Sequence, residues 1–221
     1  MDDKLNILIH EIKNPITIIK GFTSLLNSED LSKKDIKEYT GIIDFECNYL
    51  TYILNNLDIL SLLINNKTDD IIINKEEINL KDILDEIIYI YKVKAKHINF
   101  TSDFTSNIIL MVDKNLISLV IFNVIENAVK YSNKNGNVNI KLYSIDNNAY
   151  IEIEDNGIGI PKEDLEKIST LYYRSSNINK VKGTGIGLFL VTNILKILKG
   201  QLKIESNENI GTKVKIILPL N

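Results

Sequence analysis

The chain has no tryptophan, one cysteine, three prolines and two histidines among its 221 residues. A single cysteine, Cys47, excludes an intramolecular disulfide, suits a reducing compartment and reads as a helix-packing residue rather than a nucleophile. No apolar run approaches the roughly 18 residues that span a bilayer, and the N-terminal MDDKLN lacks the apolar core of a signal peptide. The expectation is therefore a soluble, cytoplasmic chain, with membrane attachment only through a segment upstream if the sequence is a fragment. A positive excess is missing too. Lys and Arg number 26 against 29 Asp and Glu, the net charge is −3 and the pI about 5.5, so there is no basic field for nucleic acid or anionic lipid. Any phosphate chemistry has to come from local sites.

What is present suits a globular protein of one large or two small domains: 44% of residues are hydrophobic and 25% charged. Asparagine is about one residue in eight, so a lone Asn motif carries little. From Lys4 to Leu26 apolar residues at Leu5, Leu8, Ile12, Ile16, Ile19, Phe22 and Leu26 keep helical spacing, with His10, Asn14, Thr17 and Gly21 on the opposite stripe. Ser28 or Ser32 can cap a second helix over about 35–64, whose apolar positions Tyr39, Ile42, Phe45 or Tyr49, Ile53, Leu57, Leu60 and Ile64 hold near-heptad spacing. Two helices cannot bury both sides of such a stripe, and a homodimer closing a four-helix bundle is the economical solution. After the polar break at 64–70 the pattern predicts strands at 76–79, 97–104 and 108–112, helices at 80–95 and 114–132, a hairpin signal around Gly136, strands VNIKLYSI and YIEIED, a helix at 186–199 and two closing strands. Helices mixed with hairpin strands, without strict βαβ alternation, predict an α+β chain: a helical hairpin followed by an α/β two-layer sandwich. The domains are expected at 1–66 and 77–221, with a linker at 67–76.

Two glycine clusters lie in the second half, DNGIGIP after a strand and GTGIGL opening a helix. Glycines at alternating positions let backbone amides approach a ligand, and a helix N-terminus suits phosphate. A dinucleotide fold fails on context, because no parallel strand–helix unit surrounds GTGIGL and no acidic residue follows at the required distance. Between the clusters LYYRSSNINKVK is polar, basic and of lid length. Upstream, in NVIENAVKYS, Asn123, Asn127 and Lys130 share one helix face. An amide oxygen there suits Mg²⁺ when phosphates complete its shell, and Lys130 suits phosphate. Asp155, at a strand end, is placed either to form a turn or to accept from an adenine amine.

HEIKNP, NVIENAVKYS, DNGIGIP, the YYR triplet and GTGIGL occur in the order and spacing of the sensor histidine kinases, and nearly the whole chain resembles their catalytic core: a dimerisation and phosphoacceptor hairpin followed by an ATP-binding domain of the gyrase/Hsp90-like fold. HEIKNPITIIKGF looks most like the sporulation-kinase branch. The resemblance implies that His10 is the phosphoacceptor and Glu11 the neighbour that holds its proton. It implies that Asn127 is the Mg²⁺ ligand, with Asn123 beside it, Lys130 a phosphate contact, Tyr131 a nucleotide wall, Asp155 the adenine reader and Arg174 a lid cation for the γ-phosphate. Gly157, Gly159, Gly183, Thr184, Gly185 and Gly187 resemble the loop residues, and Asn14 the position of relatives that also dephosphorylate their regulator. The chemistry agrees: a carboxylate beside an imidazole improves the free nitrogen as a nucleophile, and Pro15 leaves the Glu11 carbonyl without its helical donor.

Departures are Ile9 where many relatives have serine, and Leu171 and Tyr172 in place of phenylalanines. The first helix is shorter by about two turns than the family pattern. The expected activity is ATP- and Mg²⁺-dependent phosphorylation of His10, with transfer to an aspartate of a response-regulator receiver domain. A rival ATPase of the same fold is disfavoured because Asn123 stands where such relatives carry a catalytic glutamate, and Glu126 lies on another face. A non-catalytic scaffold is disfavoured by the intact glycine clusters.

Overall fold

The structure, a computed structural model, describes residues 2–28, 30–178 and 183–220 and divides into two compact units, Met1–Asp70 and Ile71–Asn221. In the first, α1 (Asp2–Leu26) and α2 (Lys33–Ile64) form a helical hairpin. Ser32 starts α2 by a reciprocal cap: the Asp35 amide donates to its hydroxyl at 3.2 Å and the Ser32 amide donates to the Asp35 carboxylate at 3.0 Å. That cap begins the helix two residues before the predicted start at 35. Phe22 packs on Tyr39 at 5.4 Å between ring centroids, and Ile53 and Leu60 are buried.

Two expectations about helix faces are corrected. Ile16 is 49% exposed because the buried position on that turn is Pro15, and Cys47 is exposed one residue beyond buried Glu46. A rotation of 100° per residue is enough to move a neighbour off the packed stripe. Ile9, Leu25, Ile36, Leu54 and Ile64 are also more than a third exposed, so two helices alone leave apolar surface uncovered.

The second unit holds β1 (Lys75–Asn79), α3 (Leu80–Lys94), β2 (Asn99–Phe104), β3 (Ile109–Asp113), α4 (Lys114–Tyr131), β4 (Asn137–Ile145), β5 (Asn148–Asp155), α5 (Gly187–Ile197), β6 (Gln201–Asn207) and β7 (Gly211–Pro219). Five strands form one sheet in the order β2-β4-β5-β7-β6, parallel only between β2 and β4, and β1 and β3 form a separate antiparallel pair. The predicted hairpin at Gly136 is instead a helix-to-strand turn. The Gly136 amide donates to the Asn133 carbonyl at 2.9 Å, and β4 then pairs in parallel with β2. The true hairpin joins β4 to β5 through Asp146 and Asn147, both at positive φ (48° and 62°), as a tight primed turn requires.

Helices cover one face of the sheet. Ile140, Leu142, Ile151 and Ile153 from the strands and Leu84, Ile117, Ile121, Ile125, Leu190 and Ile194 from the helices are at most 1% exposed. Each such side chain contributes ~1.5–3 kcal/mol. Across the sheet Lys213 and Lys215 pair with Glu152, Glu154 and Glu205 at 3.3–3.6 Å, worth about 0–1 kcal/mol apiece at a partly exposed surface, so the helical side holds the scaffold. Asp113 fastens the entry: its carboxylate accepts from the Leu116 amide at 3.0 Å, capping α4, and from the Asn74 amide at 2.8 Å.

Candidate nucleotide site and phosphoacceptor helix

The last two turns of α4 face the GTGIGL segment, and glycines mark the contacts. A Cβ at Gly183 would stand 2.8 Å from Lys130 Nζ and 3.8 Å from the Tyr131 hydroxyl, and one at Gly187 would stand 2.8 Å from Asn123 Oδ1 and 3.9 Å from Asn127 Nδ2. Any side chain at Gly183 would occupy the space in front of the lysine ammonium, the space an anion needs. Lys130 also lies 5.9 Å from the centre of the Tyr131 ring. Helix α5 starts at Gly187 without a side-chain cap, its dipole adding to the Lys130 charge. Thr184 is half-buried between these glycines, and the Gly185 carbonyl accepts from the Tyr172 amide at 2.9 Å, joining GTGIGL to the LYYR segment.

Asn123 and Asn127 part ways although they share a helix face. Asn123 is 4% exposed, its side-chain amide donates to the Leu119 carbonyl at 2.9 Å, and it lies against the start of α5. Asn127, one turn on, is half-buried, with its side-chain amide toward Gly187. No carboxylate stands at position 123, and Glu126 is half-buried beside Asn127.

Asp155 closes β5. Its carboxylate accepts from the Gly157 amide at 2.8 Å, and burial pushes it up to about 6, against the lowering effect of the Gly157 and Thr212 amides. The Ile158 amide donates to the Tyr131 carbonyl at 3.1 Å, so the DNGIGIP turn is pinned to the end of α4 and brings Asp155 and Tyr131 to one site. If adenine's amine donates to Asp155, the carboxylate form is required. The affinity of an adenine nucleotide should then fall as pH drops through about 6, by at most ~10-fold per pH unit, and be flat above it. Titrating affinity in parent and Asp155→Asn separates this from the nucleotide's own protonation, and an identical pH profile in both would remove Asp155 from the site.

Three further parts of the site escaped the sequence reading. Thr212 pairs with Asp155 across β7 and β5, and its hydroxyl shares a hydrogen bond of 2.9 Å with Ser206, which also accepts from the Ile160 amide. Asp164 gathers the residues around Arg174, as described below. Gly159 accepts through its carbonyl from the Asn177 amide at 3.0 Å, linking the first glycine cluster to the segment after Arg174. Arg174 itself is exposed and its guanidinium donates to the Ile178 carbonyl at 3.4 Å. The last four residues of the predicted lid, 179–182, lie outside the described residues.

In the other unit, His10 and Asn14 are exposed and Glu11 is half-buried, on a helix that passes through buried Pro15 without a break. Pro15 itself has no amide proton to give to the helical ladder. Among the described residues no helix is long and apolar enough to cross a membrane.

A helical hairpin that exposes a histidine, followed by a sandwich that gathers Asn127, Lys130, Asp155 and the glycine loops at one end of its helices, defines a two-part phosphotransfer core with an adenine-nucleotide domain. Residues 5–65 match the His Kinase A (phospho-acceptor) domain, and residues 112–221 the Histidine kinase-, DNA gyrase B-, and HSP90-like ATPase domain. The chain belongs to the sensor histidine kinases, of whose members it is a catalytic core. Sensor protein RprX of Bacteroides fragilis is 31% identical over 99% of this chain and 43% of its own length, and Sporulation kinase C of Bacillus subtilis 30% identical over 96% and 47%. The chain thus spans less than half of the length of these relatives. The histidine kinase ThkA, solved in complex with response regulator protein TrrA, shares the fold with a TM-score of 0.62 at 22% identity, over 96% of this chain and 60% of that one.

Proposed function

We propose that this chain is the core of a protein-histidine kinase that phosphorylates His10 from Mg-ATP and passes the phosphoryl group to an aspartate of a response-regulator receiver domain. The observation that carries the reading is the meeting of Lys130, Tyr131, Asn123 and Asn127 with Gly183 and Gly187, a cradle that side chains would fill. Asn127 would hold Mg²⁺ together with the nucleotide's phosphates, and the metal would neutralise charge on them. Lys130 and the α5 N-terminus bind phosphate, Asp155 reads adenine against Tyr131, and Arg174 meets the γ-phosphate. An imidazole nitrogen of His10 attacks the γ-phosphorus, the bond to the ADP oxygen breaks, and Glu11 takes the proton from the other ring nitrogen.

ATP use supports a cytoplasmic location for this core. The apolar residues left exposed on α1 and α2 support a homodimer built on the hairpin, and the regulator complex of ThkA supports a receiver domain as partner. Incubation with γ-labelled ATP and Mg²⁺ tests the reading: the label should be acid-labile, base-stable and transferable to a receiver domain. An acid-stable label would point to a hydroxyl acceptor instead.

The hairpin also supports dephosphorylation of the regulator. Asn14, one turn from His10 on the same exposed stripe, is placed to orient a water for in-line attack on a phosphoaspartate. An Asn14→Ala protein should keep autophosphorylation and transfer but lose ADP-stimulated removal of phosphate, by roughly 10-fold or more. Unchanged removal would leave a kinase only.

A further inference from the structure

We propose that Asp164 is a positioning residue for Arg174, holding the arginine's backbone where its guanidinium meets the transferring phosphate. The proposal rests on the γ-phosphate reading of Arg174 given above. Asp164 is 3% exposed and sits in the turn after DNGIGIP, where its amide donates to the Pro161 carbonyl at 2.9 Å. Its carboxylate takes hydrogen bonds from the Tyr173 hydroxyl at 2.5 Å, the Ser175 hydroxyl at 2.6 Å, the Ser176 amide at 2.8 Å and the Ser176 hydroxyl at 3.0 Å. All four donors belong to the stretch 173–176, and they come from both sides of Arg174.

The chemistry of the cluster makes it act as one piece. A buried carboxylate is costly unless its oxygens are satisfied, and here hydroxyls and an amide do this, holding the Asp164 carboxyl well below the usual carboxylate range. Ser175 also lies 2.9 Å from Asn177 Oδ1, and Asn177 donates to the Gly159 carbonyl, so the knot is tied to the glycine cluster as well. With Tyr173 and Ser175 turned to Asp164, the exposed Arg174 between them has its backbone held from both sides. A catalytic cation misplaced by about 1 Å forfeits on the order of 100-fold in rate, so a carboxylate that never touches the nucleotide can control the reaction through this geometry.

The test compares Asp164→Asn, Arg174→Ala and the double variant in the full chain, measuring ADP affinity and single-turnover phosphorylation of His10. Asp164→Asn should slow phosphorylation about 10- to 100-fold with ADP affinity kept within about threefold, and the double variant should be no slower than Arg174→Ala. Tyr173→Phe and Ser175→Ala, which each remove one donor, should slow phosphorylation several-fold with ADP binding intact. Losses that multiply in the double variant, a parental rate in Asp164→Asn beside a slow Arg174→Ala, or single-donor variants that lose ADP binding along with rate, would each overturn the positioning role. A parental rate in Arg174→Ala would overturn the reading of Arg174 itself and the proposal with it.

Discussion

A His10→Gln protein is expected to bind ATP as the parent does and to take up no phosphate. Removing a catalytic nucleophile costs on the order of 10⁶ in rate, so residual label should fall below detection. Exposure does not single out His10, because His97 is exposed too, in the turn between α3 and β2. What separates them is context. His10 stands on the phosphoacceptor-like helix with Glu11 beside it and Pro15 five residues on, whereas His97 belongs to the nucleotide-binding unit and has lysine and isoleucine as neighbours. Glutamine keeps the helix and much of the shape, so thermal stability should change little. Label persisting at parental rate in His10→Gln, and lost in His97→Gln, would reverse the assignment.

The second large effect is expected at Asn127. Aspartate there is nearly isosteric but adds a negative charge among phosphates, beside the half-buried Lys130. Two like charges at about 4 Å interact by roughly 4 kcal/mol at an effective dielectric of 20, and partial compensation by the lysine and by a metal leaves a loss of ~10- to 100-fold in ATP affinity. Asp155→Asn should weaken binding by a similar factor above pH 6, through the loss of one charge-assisted hydrogen bond worth about 1.5–3 kcal/mol. Calorimetric titration with Mg-ATP checks both. Affinities within about twofold of the parent in both variants would place the nucleotide elsewhere.

Much of this molecule was legible because its signals are local. Helical spacing in α1 to α5 and alternation in β4 to β7 follow from which side each residue must bury, and the paired glycine clusters announce close backbone approach. What escaped depends on pairing across the chain. Asp164 stands in a polar stretch with no periodicity, and only the fold brings residues 173–176 onto its carboxylate. Thr212 reaches Asp155 through strand register over more than fifty residues, and the parallel pairing of β2 with β4 replaces the hairpin that NKNGN suggested. Asn123 and Asn127 looked equivalent on a helical wheel. Their difference arises because α5 begins against Asn123 and buries it.

The most direct test of the central claim is peptide mapping of the protein after incubation with Mg-ATP, digested and analysed by mass spectrometry at neutral to basic pH so that a phosphoramidate survives. One added phosphoryl group on the peptide containing His10, absent when ATP is omitted, is the predicted result. A phosphoryl group on His97 or on a hydroxyl side chain, with the His10 peptide unmodified, would contradict it.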